Sequence, residues 1–220
     1  MIIKENKYHK YLLFASVLLI LIPPALISGP FLPDLFIVLI SLIFLFILNK
    51  HNQLSILKSN FFRLFVIFYI YLILTSVLSD NFYESIKPSL TYLRFGLFSL
   101  AVLFILKNKK NFVKNFYLIM CITLVILIFD GYFQFITGKN IFGFRDHLRP
   151  DRLSGLFFEE LILGSYLGKI LPIFCTFYLL NKKYFKKYYV FILILLTYIL
   201  IFLSGERSAF FTTTLYLIMV

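Results

Sequence analysis

An all-α, polytopic bundle of transmembrane helices is the fold class this sequence predicts, on three observations. Apolar runs that approach or exceed the ~18 residues needed to cross a bilayer recur along the chain. The composition is 61% hydrophobic, with a mean hydropathy of +0.92, more apolar surface than a water-soluble domain of this length requires. Lys and Arg fall in short runs between the apolar stretches, and alternate runs hold most of them, which is the charge bias of a multi-pass membrane protein.

About eight spans follow in order. Residues 1–10 are polar and carry Lys4, Lys7 and Lys10, and the first apolar run extends over 11–29. A basic segment before an apolar one resembles a signal peptide, but further spans follow at once, so an uncleaved first helix is the better reading. Pro23-Pro24 should kink or end it. The second span, 31–48, opens with Pro33 and Asp34, which suit a first helical turn. The third covers 61–79. The fourth covers 90–106, with Arg94 one turn inside. The fifth covers 112–136, with Asp130 and Gln134 in its last two turns. The sixth covers 156–180, the seventh 188–203, and an eighth starts near Ser208. From Ser208 to Val220 the helix reaches only ~20 Å into a hydrocarbon core of ~30 Å. Residues 1–220 are accordingly expected to form a single membrane domain, the N-terminal part of a longer protein.

The positive-inside rule places the N-terminus and segments 49–63, 107–114 and 181–187 on the cytoplasmic side. Glu5 is the one acid in those segments. Mixed charge then gathers on the outer face: Asp80, Glu84, Arg94, Asp130, a loop at about 137–155, Glu159, Glu160, Glu206 and Arg207. The net charge of +12 is spread in this loop pattern, not in one patch, so the bilayer is the expected partner and nucleic acid is not. Cys121 and Cys175 lie inside apolar spans and read as small buried hydrophobes. There is no HExxH, no Cys/His ligand spacing, no Walker loop and no GxGxxG, so no metal or other cofactor is expected.

The outer loop departs from the charge bias. Lys139, Arg145, Arg149 and Arg152 sit in it beside Asp146, Asp151 and His147. Two explanations stand together: pairing with the loop's own acids, or an anionic ligand, since the planar guanidinium grips phosphate oxygens two at a time. Ser204 reads as an N-cap of the eighth helix, which puts Arg207 in its first turn, and Arg152 sits just ahead of the sixth. A cation at a helix N-terminus opposes the helix dipole by roughly 0.3–1 kcal/mol, and a bound anion would reverse that cost. The competing explanation is a structural ion pair of Arg207 with Glu159 or Glu160. Those two acids read as lying one to two turns inside the sixth helix, about 100° apart. Gly164 and Gly168 form a GxxxG packing notch.

With these residues in view, Arg152-Leu-Ser-Gly155, Gly164-Ser-Tyr-Leu167 and Leu203-Ser-Gly-Glu-Arg207-Ser-Ala209 together resemble the O-antigen ligase and polymerase superfamily, bacterial inner-membrane enzymes that transfer glycans from undecaprenyl-pyrophosphate. The motifs span roughly residues 150–210. The resemblance implies that Arg152 and Arg207 hold the pyrophosphate of the lipid carrier. Arg149, Glu159, Glu160, Glu206, Arg94 and Asp130 are possible supporting residues. It implies no metal, and it implies that the residue activating the acceptor lies beyond Val220, in a periplasmic loop. Where family ligases carry an Asn-rich turn, this chain has Glu159-Glu160-Leu161, which leaves the branch of the superfamily and the acceptor open. The function implied is a membrane glycosyltransferase at the periplasmic face, with a lipid A-core sugar or another glycan as acceptor. The alternatives are a transporter or flippase of a lipid-linked anionic glycan, and a structural membrane subunit.

Overall fold

The computed structural model describes residues 9–50, 54–109, 111–145, 152–180 and 186–219. Among these, every regular element is helical. In chain order they are α1 (His9–Ile20), α2 (Ile22–Ala25) running into a 3₁₀ turn at Leu26–Ser28, and α3 (Phe31–Lys50). After a 3₁₀ turn at Leu54–Lys58 come α4 (Asn60–Val77), α5 (Phe82–Thr91), α6 (Leu93–Asn108) and α7 (Phe112–Thr137). A 3₁₀ turn at Gly155–Phe157 then precedes α8 (Leu163–Leu180), α9 (Lys187–Leu203) and α10 (Arg207–Met219).

Four stretches are long and apolar enough to cross a bilayer: Phe31–Lys50, Asn60–Val77, Phe82–Asn108 and Phe112–Thr137. The bent pair His9–Ile20 and Ile22–Ser28 makes a fifth if it is taken as one span. The chain is therefore an all-helical membrane protein. The apolar helices Leu163–Leu179 and Lys187–Leu203 are shorter, so length and composition support four or five spans among the described residues, a coarser count than the eight read from the sequence. One difference has a local cause. The polar stretch after residue 80 is helical in α5 and meets α6 at Tyr92. Its serines face the end of α4 and the residues that follow it: the Ser76 and Ser89 hydroxyls lie 2.5 Å apart and those of Ser79 and Ser85 2.9 Å apart.

The chain forms two compact units, Met1–Ile22 with Pro30–Phe112, and Pro23–Gly29 with Val113–Val220. In a bilayer the lipid tails are as apolar as leucine, so helices associate through close packing and hydrogen bonds more than through burial from water. The first unit follows that rule. Ala15 and Ala101 are buried with Ile40, Phe44, Leu100 and Ile105 where α1, α3 and α6 meet. Gly96 lets the Phe65 ring approach the α6 backbone so closely that any Cβ would collide with it. Asp34 in the first turn of α3 pairs with Arg94 of α6 at 2.8 Å.

The second unit is built from α7 to α10 and takes in the Pro23–Gly29 segment. Leu124, Leu127, Leu167, Leu171, Phe174 and Leu200 are among its fully or almost fully buried side chains. Small residues set the helix contacts. A Cβ on Gly131 would lie 2.8 Å from Leu200, one on Gly168 would lie 2.9 Å from Thr213 Oγ1, and one on Gly164 would overlap Ser204 Oγ. The GxxxG notch of α8 thus receives residues 204–213, the end of α9 and the start of α10. Tyrosine hydroxyls close the remaining seams: Tyr132 donates to the Leu196 carbonyl at 3.0 Å and Tyr166 to the Pro23 carbonyl at 2.5 Å.

Candidate functional site

The polar groups of the second unit gather where α7 ends and α10 begins. Asp130 and Gln134 lie one turn apart on α7, so they share a face, and both are buried. Asp130 Oδ1 accepts the Ile141 N–H at 2.9 Å. Gln134 Oε1 accepts the Gly155 N–H at 2.7 Å. Asn140 Nδ2 donates to the Gly155 carbonyl at 3.0 Å, and Asn140 Oδ1 accepts the Phe144 N–H at 2.8 Å. Two segments of the arginine-bearing loop, 138–145 and 152–157, are thereby fastened to one helix end. Gly155 has φ +58, and a Cβ there would lie 3.1 Å from Asp130 Oδ2, so the RLSG glycine meets both a conformational and a steric demand.

Arg152 emerges from this anchored turn and lies over Gly205. A Cβ on Gly205, where φ is +74, would be 3.6 Å from Arg152 Nε and 3.7 Å from its Cγ. The fold thus brings Arg152 of the RLSG stretch onto Gly205 of the SGER stretch, 53 positions along the chain. Arg152 is partly buried, and its Nε has no hydrogen-bond partner among the described residues. Arg207, two residues past Gly205, is the exposed first residue of α10. Among the described residues neither arginine forms a salt bridge; the ion pair found there is Arg94–Asp34.

Several expectations are corrected here. Glu159 and Glu160 do not lie inside a helix: Phe158 turns the chain at φ 55, α8 starts only at Leu163, and both acids are exposed. They form no pair with Arg207 among the described residues, so the proposed structural ion pair falls. Ser204 does not cap the last helix; it is the C-cap of α9, and its hydroxyl donates to the Ile201 carbonyl at 2.7 Å. The N-terminus of α8 is not open to an outside anion. Its first amides are taken by Glu206, whose carboxylate accepts Gly164 N–H at 2.7 Å, Ser165 N–H at 2.9 Å and the Ser165 hydroxyl. This is an internal version of anion binding at a helix start. Glu206 also lies immediately before α10, with its carbonyl accepting the Phe210 N–H at 3.0 Å, so its negative charge sits beside Arg207 at the positive end of that helix. Arg94 belongs to the first unit and is committed to Asp34. Arg149, with Asp146, His147 and Asp151, lies outside the described residues.

Sequence reasoning placed Asp130 among the supporting residues but overlooked Gln134, Asn140 and Ser154 as site residues. Two polar residues four positions apart inside an apolar helix were a visible signal for the first. Nothing local marks Asn140 or Ser154. All three, with Asp130, are almost completely enclosed, and buried polar groups at membrane depth are retained for pairing or function.

Fold and site together define an all-helical membrane protein with a hydrogen-bonded polar cluster at one end of a four-helix unit and two arginines beside it that have no acidic partner among the described residues. No family model, curated protein or solved structure matches the chain.

Proposed function

We propose that this chain belongs to a membrane glycosyltransferase of the O-antigen ligase and polymerase type, which moves a glycan from an undecaprenyl-pyrophosphate donor to a lipid A-core or glycan acceptor. The observation that carries the proposal is the seating of Arg152 on Gly205, two residues from Arg207, with no acid paired to either arginine among the described residues. Guanidinium groups held in place before the donor arrives stabilise a departing pyrophosphate electrostatically, without reorganisation in the transition state. Each can grip two phosphate oxygens, which a lysine ammonium cannot do. Glu206 fills the α8 N-terminus, so the arginines and not that helix end would bind the anion. The enzyme would sit in the bacterial inner membrane with its N-terminus in the cytoplasm, with segments 107–114 and 181–187 on that side and Arg149 and Arg152 outside.

The test is glycan transfer from a purified undecaprenyl-pyrophosphate donor by the complete reading frame in lipid nanodiscs, with protein abundance measured alongside. Arg207→Lys and Arg152→Lys should each lower kcat by about 10²–10³, the scale for losing a transition-state donor, and the alanine variants should do worse. Full transfer by Arg207→Ala at normal abundance overturns the assignment. Passage of the lipid-linked glycan across proteoliposome membranes without any transfer would favour the flippase. A cysteine in place of Lys183, but not one in place of Arg149, reacting with an impermeant maleimide on intact cells would invert the orientation and remove the periplasmic site.

A further inference from the structure

Gly155 has both of its backbone polar groups bonded to side chains from other parts of the chain. Gln134, 21 residues earlier, accepts its N–H at 2.7 Å, and Asn140, 15 residues earlier, donates to its carbonyl at 3.0 Å. A buried turn outside regular secondary structure must find such partners or leave its peptide groups unsatisfied. Here two carboxamides supply them, and each is itself fixed. Gln134 projects from the interior of α7, and Asn140 is held through a second set of bonds, with its N–H donating to the Phe144 carbonyl at 2.9 Å and its Oδ1 accepting the Phe144 N–H at 2.8 Å. Ser154 adds a longer contact with Gln134 Nε2 at 3.4 Å. Leu153 and Ser154, between this anchor and Arg152, are buried. The backbone that carries Arg152 is therefore tied down three residues away, while its guanidinium runs out over Gly205.

We infer that Gln134 and Asn140 are positioning residues, which hold the Arg152–Gly155 turn on the end of α7 so that the Arg152 guanidinium meets an anionic ligand already in place. The inference rests on the proposal that Arg152 binds the donor pyrophosphate. Asp130 contributes from the other side: its Oδ2 has no hydrogen-bond partner among the described residues and would lie 3.1 Å from a Cβ at Gly155, where φ is +58, so glycine suits the turn that settles onto the two carboxamides.

The test uses the chain in nanodiscs, with two readouts. In hydrogen exchange followed by mass spectrometry, Gln134→Met should speed exchange of the peptide covering 152–157 by about tenfold or more, as expected when a local opening loses its closing bond. Peptides from α8 to α10 should not change. Gly155→Ala should do the same by a different route, and Thr137→Val, which touches no atom of Gly155, should leave this peptide unchanged. By calorimetry with inorganic pyrophosphate, Gln134→Met should weaken binding nearly as much as Arg152→Ala does, and the double variant should bind no worse than Arg152→Ala alone, because a residue that acts only through Arg152 has nothing left to position. Unchanged exchange at 152–157 in Gln134→Met overturns the inference. So does loosening that spreads through α8 to α10, or an additive loss of affinity in the double variant. A parent chain that binds no pyrophosphate overturns the donor proposal and the purpose assigned to the anchor, while the exchange data still separate a held turn from a loose one.

Discussion

Arg94 and Arg152 begin from the same chemistry and end in opposite states. Each is a partly buried arginine whose Nε has no hydrogen-bond partner among the described residues. In the first unit Arg94 reaches Asp34 at 2.8 Å and lies over the Phe95 ring at 5.0 Å. Its charge is spent on joining α3 to α6. In the second unit Arg152 lies on a bare glycine backbone, and among the described residues no acid pairs with it. Glu159 and Glu160 are exposed, and Glu206 is occupied by the amides that open α8. An arginine in a membrane protein is therefore not a site by virtue of being charged at depth. What distinguishes the two, among the described residues, is where the carboxylates have been committed.

The sharpest way to break this comparison is to exchange roles under one assay. Arg152→Lys should cost about 10²–10³ in glycan transfer, while Arg94→Lys should leave transfer within a few-fold, because the amine still reaches Asp34. Equal losses in both variants would mean that pairing does not separate a structural arginine from a binding one. Next in size is the effect on the fold of freeing the Glu206 carboxylate. Glu206→Ala removes charge-assisted bonds to two helix-end amides and should destabilise the second unit by about 2–3 kcal/mol, read from urea or thermal unfolding in detergent. A change below ~0.5 kcal/mol would show that water satisfies the α8 N-terminus equally well.

Two glycine substitutions refine the same contrast between positions under tertiary constraint and positions without it. At Gly164 a Cβ would overlap the Ser204 hydroxyl, so Gly164→Ala should cost about 1–3 kcal/mol through forced separation of α8 from the 204–213 segment. Gly138 has φ +75 but nothing within 4 Å of its would-be Cβ, so Gly138→Ala carries only the backbone penalty, about 1 kcal/mol. The order of these two unfolding midpoints is the measurement. Smallest of all is Asp34→Asn. The pair is substantially exposed, at 29% for Arg94 and 47% for Asp34, so its loss should cost no more than about 1 kcal/mol and less in high salt.

Much of this protein was readable without coordinates, and the reason is that the readable part is local. Hydropathy over a window the length of a bilayer identifies a helical membrane protein. Pro33 and Asp34 mark the start of α3, and the RLSG and SGER stretches were visible as the places where charge meets helix ends. The misjudged features depend on pairings across long sequence gaps. The start of α8 could not be read because residues 156–162, five of them apolar, look helical, whereas the structure spends them on a 3₁₀ turn and a residue at positive φ. Ser204 looked like a cap because serine before a helix usually is one; that it closes α9 follows from where its hydroxyl finds a carbonyl.

By itself, then, the sequence determined the membrane class, the helical content and the two short stretches in which an arginine meets a helix end, because periodicity and hydropathy act within a few turns. Only the tertiary structure decided which side-chain oxygen serves which donor. Glu206 meets Gly164 across 42 positions, Gln134 meets Gly155 across 21, and Arg94 meets Asp34 across 60. Such pairings are fixed by how glycine notches and buried leucines bring the helices together, since a buried polar group must take whichever partner the packing presents to it.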